Sequence, residues 1–103
     1  MGVNAIYLTP IFSSTAHHRY KTIDHFDVDP LLGGMPAFDR LLEHCRRRGI
    51  RVMLDAVFNH VGLGFRGFVD VLEYGKASPW YDWFLIDDWP LNPFDLTRPA
   101  NYR

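Results

Sequence analysis

This sequence has one cysteine, no membrane-length apolar run and almost no net charge, and each shortage excludes something. With Cys45 alone, there is neither an internal disulfide framework nor a thiolate cage for a metal, which fits a reducing compartment. No apolar stretch approaches the roughly 20 residues of a membrane-spanning helix, so no membrane partner is expected. The formal charge is −1, from 11 Lys and Arg against 12 Asp and Glu. Such a balance holds neither phosphate backbones nor anionic lipid, and nucleic acid is not an expected partner. Ahead of "VNAIYLTPIF" there is no basic leader and no small-residue cleavage site, so no secretory signal is expected and the cytoplasm is the default location. The abrupt entry into an apolar run suggests that Met1 stands in the middle of something longer.

What is present reads as one globular unit: 103 residues, 48% apolar, with no biased tract. Aromatic residues make up 16% of the chain, and many sit in loop-like segments near Gly, Pro and Asp. Flat apolar faces beside polar groups suit sugar rings, which show C–H patches to an aromatic and hydroxyls to carboxylates and amides. The alternative is that these rings simply fill a core.

The segment "VNAIYL" (3–8) is short, apolar and bounded by Thr9 and Pro10, which predicts a strand buried on both faces. Between residues 13 and 34 periodicity disappears, predicting a long loop of the kind that is uncommon in a compact domain unless it carries function. Pro36 suits a first helical residue, and Phe38, Leu41, Leu42 and Cys45 follow at helical spacing. Arg46, Arg47 and Arg48 fill the last turn, where the helix dipole favours cations, and Gly49 is placed to end the helix. Residues 50–54 form the next expected strand. Strand, loop, helix, strand is a βαβ unit with parallel strands, so the polar ends of both strands lie on one side. Beyond His60, a short helix is expected over 65–74, a turn near Trp80, a brief strand around Phe84 and an irregular tail.

The stretch "IRVMLDAVFNHVG" (50–62) runs from a core strand straight into Asp55, Asn59 and His60, three polar groups that are costly to bury. In parallel α/β folds, ligands sit at the carboxyl ends of strands, where these groups would lie and could bond to one another or to a substrate. A self-satisfied polar cap on the strand is the structural alternative. Parallel geometry also brings the loop "HHRYKTIDHFDVDP" towards Asp55 and His60. There Tyr20 offers a stacking face, His17 or His18 a hydrogen bond and Asp24 an acceptor. No histidine pair has the helical spacing of a zinc motif. Cys45 reads as an inert core thiol, and the arginine run as a helix end. Asp87 and Asp88 are adjacent, so in an extended segment they point opposite ways and do not form the facing carboxyl pair of glycoside hydrolysis.

At "LDAVFNH", Asp55, Asn59 and His60 fit the pattern D-x-x-x-N-H, and the segment resembles the first signature region of the α-amylase family, glycoside hydrolase family 13. "GVNAIYLTPIF" resembles that family's second barrel strand, "HRYKTIDHFDVDP" the loop after it and "GIRVMLDAVFNHVG" the third strand. Residues 2–90, including "SPWYDWF", are similar to the neopullulanase, cyclomaltodextrinase and maltogenic amylase subgroup. The resemblance implies an α/β chain, part of a (β/α)₈ TIM barrel from about strand 2 to strand 3. Residues 1–61 would be the βαβ segment and 62–103 the beginning of the domain inserted after the third strand. It further implies a retaining mechanism on α-linked glucans with no required cofactor. Tyr20 would stack on the sugar at the cleavage subsite, His60 would hydrogen-bond that sugar's 6-hydroxyl, and Asp55 would support the site through a family arginine outside these residues. Asn59 matches a position that ligates calcium in many α-amylases, although this subgroup often lacks that metal.

Lys21 departs from the pattern, since relatives commonly carry Asp after the stacking tyrosine. The nucleophilic aspartate, the acid/base glutamate and the third aspartate belong to later family regions. The 103 residues therefore read as a fragment without its catalytic carboxylates, inactive alone and expected to self-associate through open sheet edges. Two alternatives stay open: an α-glucosidase or trehalose-related transferase of the same family, and a non-catalytic carbohydrate-binding or interaction module.

Overall fold

Two short parallel strands, β1 (Ala5–Leu8) and β4 (Arg51–Leu54), pair from Ala5 opposite Arg51 to Leu8 opposite Leu54. The computed structural model describes residues 1–103. Parallel neighbours need a crossover, and the helix α1 (Gly34–Arg47) lies between them in the chain. The expected βαβ order is therefore present. The strands alternate: Ile6, Leu8, Val52 and Leu54 are half-buried, whereas Ala5, Tyr7, Arg51 and Met53 are exposed. This corrects the expectation of a first strand buried on both faces. Such burial requires helices on both sides of a sheet, and the unit that holds these strands contains one.

α1 begins at Gly34, two residues before Pro36, the expected first helical residue. Pro36 is its third residue, a position where the missing N–H is one of the unpaired donors of the first turn. Cys45 is buried, Phe38 and Leu41 are half-buried, and Leu42 lies at the edge of the face. The end matches the sequence reading. Gly49 takes φ 66°, its N–H donates to Arg46 O at 3.2 Å and Ile50 N–H donates to Cys45 O at 2.9 Å, the paired bonds of a Schellman motif. Arg47 pairs with Glu43 one turn back, and Arg48 donates to the carbonyl of His44 at 3.2 Å.

The expected structureless connection over 13–34 is instead a hairpin. Strands β2 (Phe12–Ser14) and β3 (Thr22–Val28) run antiparallel, leaving 15–21 as the tip. Phe12 faces Val28, Ser13 faces Asp24 and Ser14 faces Thr22, with register shifts between these pairs. Those bulges break the period of two that announces a strand, which is why sequence reasoning missed them. A 3-10 turn (Pro30–Leu32) follows. The Asp29 carboxylate caps it by accepting from Leu31 N–H at 2.9 Å.

The chain divides into two compact units, Met1–Gly62 and Leu63–Arg103. In the second, α2 (Arg66–Tyr74) starts after Phe65 and ends at Gly75, close to the helix expected over 65–74. Phe68 and Val71 are its core, with the rings of Phe84 and Tyr102 at 5.2 and 4.8 Å from that of Phe68. The turn expected near Trp80 is a 3-10 turn (Tyr81–Trp83). The strand expected around Phe84 reduces to one antiparallel bridge, Ile86 with Tyr102. The tail is irregular yet tied: Asn92 and Asn101 each donate a backbone N–H to the other's side-chain oxygen at 3.0 Å.

Candidate functional site

The carboxyl end of the parallel pair is closed by Asp55, whose N–H donates to Leu8 O at 3.0 Å just past the last rung. Strand alternation places Tyr7, Met53 and Asp55 on one face, the open one. Tyr20 arrives from the hairpin tip, and its hydroxyl donates to Asp55 Oδ2 at 2.8 Å. The loop after β4 returns to the same tip. His60 Nε2 donates to Tyr20 O at 2.8 Å, and Gly62 N–H donates to Thr22 O at 2.8 Å. Since a carbonyl can only accept, the proton of a neutral His60 sits on Nε2. Lys21 O, between those two acceptors, takes the Ser14 hydroxyl at 2.7 Å.

Close approach of the two loops depends on glycine. A Cβ at Gly62 would stand 2.8 Å from Lys21 O and 3.1 Å from Ile23 Cγ2. His25 adds a further tie from β3: its Nε2 lies 2.9 Å from Val57 O, and its ring lies 6.1 Å from Phe12 and 5.8 Å from Phe58. The hairpin and the loop after β4 are therefore fastened at Asp55, Val57, His60 and Gly62.

The electrostatics centre on Asp55. The hydrogen bond to this carboxylate is the largest influence holding the Tyr20 phenol above its ordinary value of 10.0. The Tyr7 phenol is raised as well, first by the neighbouring Asp55 carboxylate, then by desolvation and by the charge of Tyr20. Two phenols converge on one carboxylate, which disfavours ionisation of either.

Of the residues singled out from sequence, Tyr20, Asp55 and His60 meet. His18 borders them, with Nδ1 accepting from Tyr20 N–H at 3.1 Å and its ring 5.8 Å from that of Tyr20. His17 contributes its carbonyl, which accepts from Arg19 at 3.2 Å. Asp24 accepts from Phe26 N–H at 2.7 Å. Lys21 and Asn59 are exposed. No group of three or more His, Cys, Asp or Glu is placed to hold a metal ion, so Asn59 is not joined by a carboxylate cluster of the kind calcium prefers. Asp88 accepts from Trp89 N–H, while Asp87 lies 3.5 Å from Arg103. Cys45 is buried and free.

Tyr7, Arg19, His25 and Asp29 were not singled out from sequence. Only Tyr7 left a usable signal there, because period-two alternation from Met53 to Asp55 and the parallel register could have placed it beside Asp55. The other three depend on the bulged hairpin. The assembled groups present an aromatic face rimmed by hydrogen-bonding polar atoms, a combination suited to a hydroxylated ring.

Comparison with known proteins identifies the family to which the chain is similar. The family model for the α-amylase catalytic domain matches residues 1–103. Neopullulanase 2 of Thermoactinomyces vulgaris is 50% identical over 103 residues, which is 100% of this chain and 17% of that protein. The intracellular maltogenic amylase of Bacillus subtilis (strain 168) is 46% identical over 100 residues, covering 97% of this chain and 17% of its own length. Among solved structures, the debranching enzyme of Nostoc punctiforme superposes with a TM-score of 0.91 at 55% identity, over 99% of this chain and 21% of that one. The chain thus spans about a sixth of the curated relatives it matches. Matched along all of its residues by the catalytic-domain model, the chain belongs to the α-amylase family of glycoside hydrolases.

Proposed function

We propose that these residues form one wall of the substrate site in a retaining α-glucan hydrolase of the neopullulanase and cyclomaltodextrinase kind. The observation that carries this reading is the convergence of Tyr20, Asp55 and His60 at the carboxyl end of β1 and β4. Tyr20 stacks on the sugar ring at the cleavage subsite. Asp55 holds the phenol from below, and the His60 nitrogen not bound to Tyr20 O faces the sugar hydroxyl. The two strands are the second and third of a (β/α)₈ barrel, and Leu63–Arg103 opens the domain inserted after the third.

In this reading the chain binds and orients, while the nucleophile and the acid/base belong to other parts of the barrel. Retaining hydrolysis needs two carboxyl groups and no cofactor. The enzyme works in the cytoplasm, a placement supported by the lone cysteine and by a relative described as intracellular.

A chimera tests the reading. These 103 residues replace the matching segment of neopullulanase 2, and hydrolysis of a maltooligosaccharide is followed. The chimera is expected to hydrolyse it, with Tyr20→Ala and His60→Ala each lowering kcat/KM by roughly ten- to a hundredfold. An active chimera indifferent to both substitutions would sink the proposal. Tight maltooligosaccharide binding by the 103 residues alone would favour a binding module instead.

A further inference from the structure

The residue just before Tyr20 has an unusual backbone. Arg19 takes φ 60°, the one positive φ at a non-glycine position in the chain, in a region that L-residues with a Cβ adopt at an energetic cost. Something must hold it there. Its N–H donates to Ala16 O at 2.9 Å, its guanidinium donates to His17 O at 3.2 Å, and its Nε donates to Asp29 Oδ2 at 2.9 Å.

This ion pair differs from the chain's other ion pairs. The Arg19 and Asp29 side chains are 16% and 10% exposed, whereas the arginines of the remaining three pairs are each more than 65% exposed. Exposed pairs fix little; a shielded one is screened less and holds geometry better. Asp29 is itself immobilised. Its second carboxylate oxygen caps the turn at Leu31, its N–H donates to Ile11 O at 2.9 Å, and its carbonyl accepts from Leu32 and Gly34. The acceptor is thus anchored both to the residue before β2 and to the start of α1, and the donor sits on the hairpin tip.

From this geometry we infer that Arg19 and Asp29 are positioning residues, whose ion pair holds the left-handed turn that aims the Tyr20 ring at the sugar. The inference rests on the reading of Tyr20 as the stacking residue. Without the pair, Arg19 relaxes towards an ordinary negative φ, which swings the next side chain away from Asp55. A purely structural role for the pair makes a different prediction: it would alter stability without passing through Tyr20.

Asp29→Asn is the discriminating variant, because Asn caps a helical turn about as well as Asp and so spares the Leu31 bond while discharging the pair. Arg19→Met removes the donor. Arg19→Lys keeps the charge but loses the fixed guanidinium fork, and is expected to rescue only in part. In the chimera described above, Arg19→Met and Asp29→Asn are each expected to lower kcat/KM by roughly tenfold or more. Placed in a Tyr20→Ala background, Arg19→Met should lower it no further, since residues that act through one another are not additive.

The inference is overturned if Arg19→Met and Asp29→Asn lower only the melting temperature, or if Arg19→Met subtracts its full effect again in the Tyr20→Ala background. Should Arg19→Met fail to fold, Arg19→Lys and Asp29→Asn carry the same comparison. A chimera that responds to Tyr20→Ala but not to these variants sinks this inference and leaves the stacking role standing. One that ignores Tyr20→Ala sinks both.

Discussion

Tyr20 donates its hydroxyl to Asp55 across 35 positions of sequence, at 2.8 Å. The bond exists only while the phenol keeps its proton, and the phenol's pKa is raised above 10.0 by this carboxylate, as is that of Tyr7. A group whose value is raised by folding contributes stability that is full below its unfolded value and is lost as pH climbs through the folded one. Urea midpoints are therefore expected to hold to about pH 9 and to fall above about pH 10. Tyr20→Phe and Tyr7→Phe should each remove part of that fall. Tyr74, raised by the neighbouring Glu73 carboxylate, keeps a remainder in the double variant. A midpoint that declines identically in the wild type and in Tyr20→Phe would contradict the Asp55 bond.

Gly49 and Gly62 separate two reasons for glycine. At Gly49 an added Cβ meets nothing within 4 Å, but φ is 66°, so Gly49→Ala costs only the left-handed conformation, about 1 kcal/mol. At Gly62 the same Cβ meets Lys21 O at 2.8 Å and Ile23 at 3.1 Å. Backbone cannot step aside cheaply, and Gly62→Ala should cost about 2 kcal/mol or more by overpacking. It should also loosen the His60 bond to Tyr20, which spans the same two loops. Chemical denaturation of both variants checks the order; Gly49→Ala proving the worse would refute it.

The contrast between α1 and the hairpin explains how much of this was readable beforehand. α1 announces itself through Phe38, Leu41 and Cys45 at helical spacing and through Gly49, because every signal lies within a few residues of what it specifies. β2 and β3 are held by backbone pairing across bulges, and the side chains of "TIDHFDV" keep no clean alternation. The meeting of Tyr20, Asp55 and His60 was legible because parallel strands put their carboxyl ends on one side. The Arg19 bond to Asp29 was not, since it depends on how the hairpin tip folds back, and no local pattern encodes that.

Asp95 gives the second unit an acid limit. The Thr97 hydroxyl and the Arg98 guanidinium, followed by Thr97 N–H, hold its carboxyl down at about 2, against an ordinary 3.8. A depressed carboxyl contributes stability that is present above its unfolded value and disappears as pH falls through the folded one. Order in residues 92–101 should therefore persist to about pH 4 and be lost towards about pH 2. Thr97→Ala should move that loss upward in pH. Amide exchange at Thr97 N–H, which donates to Asp95 at 3.0 Å, follows it directly, and protection unchanged down to pH 2 would count against the carboxylate's role.

The open face of the β1 and β4 pair gives a prediction for the chain in solution. A two-stranded sheet has two unpaired edges, and here one face also leaves Tyr7 and Met53 59% and 62% exposed. Free strand edges beside apolar side chains are templates for pairing with another copy, a hazard that proteins counter with charge or proline at the edge. β1 carries neither, and β4 has only Arg51. Sedimentation at increasing concentration is therefore expected to show association. Met53→Lys should shift the distribution towards monomer by placing a charge on the open face, while a control at the exposed Glu43 of α1, Glu43→Gln, should not. A concentration-independent monomer that unfolds cooperatively would show instead that this sheet is self-sufficient.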